Sequence, residues 1–204
     1  ATKDSIYDDA AASINKGTGS YPEADPSKNL NQWQEAKATA AYYDKQSTDF
    51  VAGFGYEMTW SGGPGHINVF NSKGIVSRNN TELNNKTNNA GMLAFYDLVV
   101  DADQKKATST GNGNISAMFN HPGTTFGFFD SFTGLTPERD NIMNLIEVGN
   151  GDGAVGGTGY FPSYEYYDMC LSLGWHVAPT NGQDNHKGGW GSISPTRTVA
   201  LTET

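Results

Sequence analysis

The chain is nearly without cysteine: Cys170 is the only one in 204 residues. That excludes an internal disulfide and a cysteine-built zinc site. Clusters of lysine and arginine are also missing, and 13 basic against 22 acidic residues leave a formal net charge of −9. Nothing would displace the counterions condensed on a nucleic-acid backbone, so nucleic acid is not an expected partner. No apolar run approaches the roughly 18–20 residues that span a bilayer, so no transmembrane segment is expected. The opening ATKDSIYDDAAAS lacks the basic-then-apolar order of a signal peptide. There is no internal repeat and no heptad pattern, and the Gly-rich GDGAVGGTG lacks the Gly-Lys-Ser/Thr ending of a phosphate-binding loop.

What remains is a chain rich in glycine (25 residues) and aromatics (12%), the composition of an ordered, loop-rich globular protein. Its length suits one core and one domain. Residues 1–30 are polar, turn-rich and without periodicity, an irregular lead-in. From Gln32 the pattern changes. QWQEAKATAAYYDKQ places Trp33, Ala36, Ala40 and Tyr43 on one helical face, and DFVAGFGYEMTW then reads as a buried strand. HINVFN and GIVSR are short strand candidates, followed by an Asn-rich loop and the helical AGMLAFYDLVVDADQ. Strand ISAMFNHP, a Phe-rich loop, a short helix after Thr136-Pro137 and strand NIMNLIEVGN come next. The aromatic helix SYEYYDMCLSLG, strand WHVAPT and a last strand TRTVALT complete the order. Strands spaced by helices favour parallel βα units, hence an α/β class.

In such folds the side chains just beyond the strand C-termini form the site. Glu57, His66, His121 and Glu147 lie near strand ends, as do Asp184 and His186 in NGQDNHKGGWG, and only His176 of the four histidines is outside this set. Imidazole and carboxylate are the usual ligands for zinc, manganese and iron when thiolate is absent. Asp184 and His186, two apart in an extended segment, would project to the same side. Each residue has an ordinary alternative: Asp184 and His186 as solvated surface, Glu57 as an ion-pair partner, His121 as a turn cap before Pro122. His176, beside Trp175, is expected to be a satisfied core histidine. The co-occurrence of five candidate ligands, Glu57, His66, His121, Asp184 and His186, favours a metal site.

The stretches GYEMTWSGGPGHINVF, FNHPGTTFG, IEVGNG, GWHVAPTNGQDNHKGGWG and RTVAL resemble the PHP superfamily of metal-dependent phosphoesterases, in the branch found in bacterial secreted and cell-surface proteins. The likeness spans roughly residues 30–202. It implies a distorted, TIM-like β/α barrel with up to three divalent metal ions at the strand C-termini. By motif, Glu57 would match the metal-bridging glutamate, His66 and His121 the later histidine ligands, and Asp184 and His186 the closing pair. Implied with them are hydrolysis of a phosphorylated small molecule by metal-activated water, and an extracellular or cell-surface location. Lys187 or Arg197 could add a positive contact to the phosphate.

The resemblance is incomplete. The family's opening His-x-His and Asp-His motifs are absent, for no two of the four histidines are two residues apart. The expectation is therefore a partial barrel lacking the first one or two strands, with residues 31–204 as an incomplete hydrolase domain that holds fewer ions and has reduced or no activity alone. An opened barrel exposes strand edges, so a homo-oligomer or a missing N-terminal fragment is the expected partner. Two other functions share these features. One is a non-catalytic surface module, using the TTFGFFDSF loop and the tyrosines at 164, 166 and 167 as a stacking platform. The other is a carboxylester or amide hydrolase on the same metal centre.

Overall fold

A computed structural model describes residues 32–201 apart from 47, 61–62, 73, 76–88, 111–114 and 190, with the side chains of one helix described as far as Gln104. The expected lead-in 1–30 and most of the GIVSR strand candidate lie outside these residues. The elements in chain order are α1 (Gln32–Asp44), β1 (Gly55–Thr59), β2 (His66–Phe70), α2 (Asn89–Thr110) and β3 (Ser116–Asn120). Then follow α3 (Pro137–Asp140), β4 (Met143–Asn150), β5 (Phe161–Pro162), α4 (Tyr164–Ser172) and β6 (Ala178–Gly182).

The six strands form one mixed sheet in the order β1-β2-β3-β4-β5, with β6 also paired to β4. The βα expectation holds for β3 and β4, with α3 between them, and for β4 and β6, with α4 between them. It fails for β2 and β3, which are antiparallel although α2 lies between them, and β1 and β2 are antiparallel too. Six residues, 60–65, separate β1 from β2, whereas a parallel crossover needs about a dozen residues or more. The described residues form an open sheet, not a closed barrel. Residues 196–201 of the expected last strand TRTVALT are not a strand either. They are fastened to β6 by a side chain, with Thr198 Oγ1 accepting the Asn181 N–H at 2.9 Å.

One sheet face carries the core. Met58, Ile67, Val69, Ala117 and Phe119 alternate inward along their strands, and α2 meets them with Met92, Phe95, Tyr96 and Val99 at helical spacing. In α1 only Trp33 and Ala40 of the expected face are buried, and Trp33 packs edge-on against Phe54 and Tyr56. The short α3 begins as the sequence suggests, with Pro137 in its first turn and the Thr136 hydroxyl accepting the Arg139 N–H. Arg139 then reaches back to Asp97 on α2 at 2.8 Å.

The Phe-rich loop departs from ordinary backbone. Phe129, Asp130, Ser131 and Phe132 all have positive φ, between 52° and 59°, making one left-handed turn without a glycine. Such a conformation costs roughly 1–2 kcal/mol per residue. Burial of Phe129 and Phe132, each about 1.5–3 kcal/mol, is of the size needed to offset it. The turn is also pinned at its end, where the buried Trp175 Nε1 donates to the Phe132 carbonyl at 2.8 Å. Removing that donor with Trp175→Phe is expected to lower unfolding free energy by about 1–3 kcal/mol. Urea denaturation checks this, and an unchanged midpoint would show that the turn does not need the bond.

Candidate functional site

Strand direction decides which side chains can meet. β1 and β3 are each antiparallel to β2, and β3, β4 and β6 are parallel, so β1, β3, β4 and β6 point the same way. Their C-terminal ends lie along one edge, beside the start of β2. Register pairs Thr59 with His66 and His66 with Asn120. Glu57 shares the Thr59 face by alternation, and His121 leaves β3 at this edge.

Three of the expected ligands converge there. Glu57 Oε1 lies 3.0 Å from His66 Nδ1 and 3.5 Å from His121 Nε2. Two donors each about 2.1 Å from a tetrahedral ion stand roughly 3.4 Å apart, so this spacing suits shared coordination. The imidazoles meet edge to face with centroids 4.8 Å apart, and their side chains are only 12% and 10% exposed against 33% for Glu57. Glu57, His66 and His121 thus form a group that could hold a metal ion.

The local chain shows why each stays in place. Before His66, Gly65 has φ 152°, and a Cβ there would sit 2.3 Å from the Phe129 ring. The Phe129 N–H donates to the Pro64 carbonyl at 2.6 Å, locking the left-handed turn against the β1–β2 link. His121 is itself left-handed, with φ 26°. Its backbone N–H donates to Glu147 Oε2 at 2.8 Å, and Asn150 Nδ2 donates to the same oxygen at 3.1 Å. Glu147 is 3% exposed, and its other oxygen rests on Gly182 of β6, where a Cβ would approach Oε1 to 2.0 Å.

Electrostatics follow from this packing. Burial alone would raise the Glu57 carboxyl, but hydrogen bonds from His121, His66 and Asn120 together hold it well below the usual carboxylate range. Burial opposes charge on His121 as well, yet the Glu57 bond and the carboxylates of Glu147, Glu57 and Asp184 raise the imidazole above its ordinary 6.5. Glu147 is raised, chiefly by burial, which the Asn150 and His121 donors offset only in part. In the metal-free protein, the His121 contribution to stability is complete below pH 6.5 and fades as pH rises through its raised value. The Glu57 contribution is complete above 4.5 and fades as pH falls toward its lowered value. A metal requires neutral imidazole, so ion binding would displace the proton that folding favours on His121.

The other expected site residues are not among the three that could share an ion. Asp184 has φ 45°, and this left-handed residue breaks the extended geometry that would have aimed Asp184 and His186 together. His186 is 81% exposed, its Nδ1 2.7 Å from the Asp184 carbonyl oxygen. Lys187 is paired with Asp152 at 3.7 Å. The Arg197 guanidinium donates to the carbonyls of Ser194, Thr196 and Gly191, which ties down its own loop. Asp184, His186 and Lys187 instead line a cleft of ≈ 630 Å³ that reaches His121. His176 is no core histidine: it is 85% exposed and paired with Asp140 at 2.7 Å. Its neighbour Trp175 takes the buried position and turns it outward. Cys170 is buried, its thiol pushed up to about 12 by burial and by the Asp140 charge, and so is no nucleophile.

The residue whose role sequence reasoning missed is Glu147. Its signal was present as a lone acid in the apolar run NLIEVG, where a buried charge needs a dedicated set of donors. No helix among the described residues is long and apolar enough to cross a membrane. No protein-family model, characterised protein or solved structure matches this chain. If Glu147 positions His121, Gly182→Ala should displace the carboxylate and weaken zinc binding roughly 10–100-fold. Calorimetric titration of zinc into wild type and variant measures this, and equal affinities would refute the positioning role.

Proposed function

We propose that this chain is a metal-dependent hydrolase domain acting on phosphoesters. The observation that carries the reading is the convergence of Glu57, His66 and His121 from separate strands on one sheet edge, beside a cleft of ≈ 630 Å³. The motif resemblance to PHP phosphoesterases points the same way, because it places these same residues among that family's ligands. Two imidazoles and one carboxylate suit zinc, manganese or iron and leave a coordination position open. An ion bound there supplies a Lewis acid and an acidified water.

The protein's own groups divide the remaining work. Asn120 Nδ2 donates to Glu57 Oε1 at 3.2 Å and orients the carboxylate. Glu147 fixes the His121 backbone. Phe126 stacks near both imidazoles, with centroids 5.2 Å from His66 and 4.9 Å from His121, and shields them from water. The three donors that lie close enough to share an ion support a single-ion centre. A cell-surface location belongs to the same proposal and rests on the resemblance alone.

Protein purified without chelators is expected to carry about one equivalent of transition metal and to hydrolyse bis(4-nitrophenyl) phosphate. Chelation should abolish turnover, and Glu57→Gln or His66→Ala should reduce both metal content and rate by roughly 100-fold or more. Elemental analysis with a chromogenic assay measures both. Absence of metal from the wild-type protein, or turnover indifferent to Glu57→Gln, would overturn the reading.

A further inference from the structure

The cleft beside the trio is far larger than a phosphate group. Its ≈ 630 Å³ falls within the roughly 300–1,000 Å³ that holds a small organic ligand. Its polar lining is also wrong for a phosphate alone. Asp152, Glu165 and Asp184 contribute carboxylates, whereas the ammonium of Lys187 is already paired with Asp152 at 3.7 Å. A phosphate cradle presents cationic forks and backbone N–H groups, not a surplus of acceptors.

The apolar lining narrows the choice. Phe161 is 66% exposed and Phe126 46% exposed, and Tyr166 stands beside them in the same cleft. Open aromatic faces next to carboxylates and the Asn150 and Gln183 amides suit a ring with a CH face and many hydroxyl donors. His121 also lines the cleft, which joins it to the trio.

We propose that this cleft binds a sugar, with the ring face on Phe161 and its hydroxyl or amino groups on Asp152 and Glu165. Resting on the hydrolase reading above, this makes the substrate a sugar-bearing phosphoester whose phosphate end reaches Glu57, His66 and His121. The surplus of carboxylates favours an amino sugar over an acidic one.

The test uses chelator-treated protein, so that sugar binding is read without metal. Saturation-transfer NMR and titration with a trimer of glucosamine and a trimer of N-acetylglucosamine supply the readout. Both trimers are expected to bind, the glucosamine form more tightly at low salt. Phe161→Ala, at an exposed position that leaves the core intact, should weaken trimer binding roughly fivefold to tenfold. Absence of saturation transfer to both trimers, or affinities unchanged in Phe161→Ala and Asp152→Asn, would overturn the proposal. A protein that holds metal but no sugar sinks this inference alone, whereas one that binds sugar but no metal sinks only the hydrolase reading.

Discussion

The hydrogen bond from the His121 backbone to the buried Glu147 carboxylate is the constraint on which the site depends. It joins the chain leaving β3 to the middle of β4, and through Gly182 it includes β6. A carboxylate this deep is unfavourable without donors, and each bond to a charged group contributes about 1.5–3 kcal/mol. Glu147 has two such donors on one oxygen. The bond also compensates for the left-handed conformation of His121, a geometry that directs the imidazole back over the sheet edge toward Glu57.

A second constraint holds the other imidazole. His66 opens β2, so its position depends on the turn before it. Gly65 admits the Phe129 ring against the backbone, and Gly127 lies as close to Pro64, where a Cβ would come within 2.4 Å. The left-handed Phe129–Phe132 turn is therefore a wedge between the β1–β2 link and the core. Strain near a site persists only where the surroundings over-determine it, and here two buried phenylalanines and the Trp175 bond do so.

Much of this is legible in the sequence, and the failures have physical causes. The gathering of polar residues at strand C-termini brings out Glu57 and His121, and the strands GYEMT, HINVF and SAMFN lie where the apolar runs put them. The Thr136-Pro137 helix start is a local signal and behaves as one. Neither alternation nor an intervening helix fixes strand direction, however, which is why β2 and β3, with α2 between them, are expected to be parallel and are antiparallel. Nor does sequence spacing reveal a left-handed residue: Asp184 and His186 are two apart, but φ 45° at Asp184 separates their aims. His176 is misjudged for a related reason, because the burial of Trp175 decides its side only once Phe132 is in place. Glu147 goes unassigned because the donor that ties it to His121 is a backbone N–H, which no side-chain motif can signal.

The central claim is that Glu57, His66 and His121 bind one ion together. Zinc-edge X-ray absorption of protein loaded with a single equivalent tests it most directly. The account predicts a nitrogen and oxygen shell at about 2.0–2.1 Å with the multiple-scattering pattern of two imidazoles, reduced to one imidazole in His66→Ala. A shell of oxygen alone, or a spectrum unchanged by His66→Ala, would contradict it.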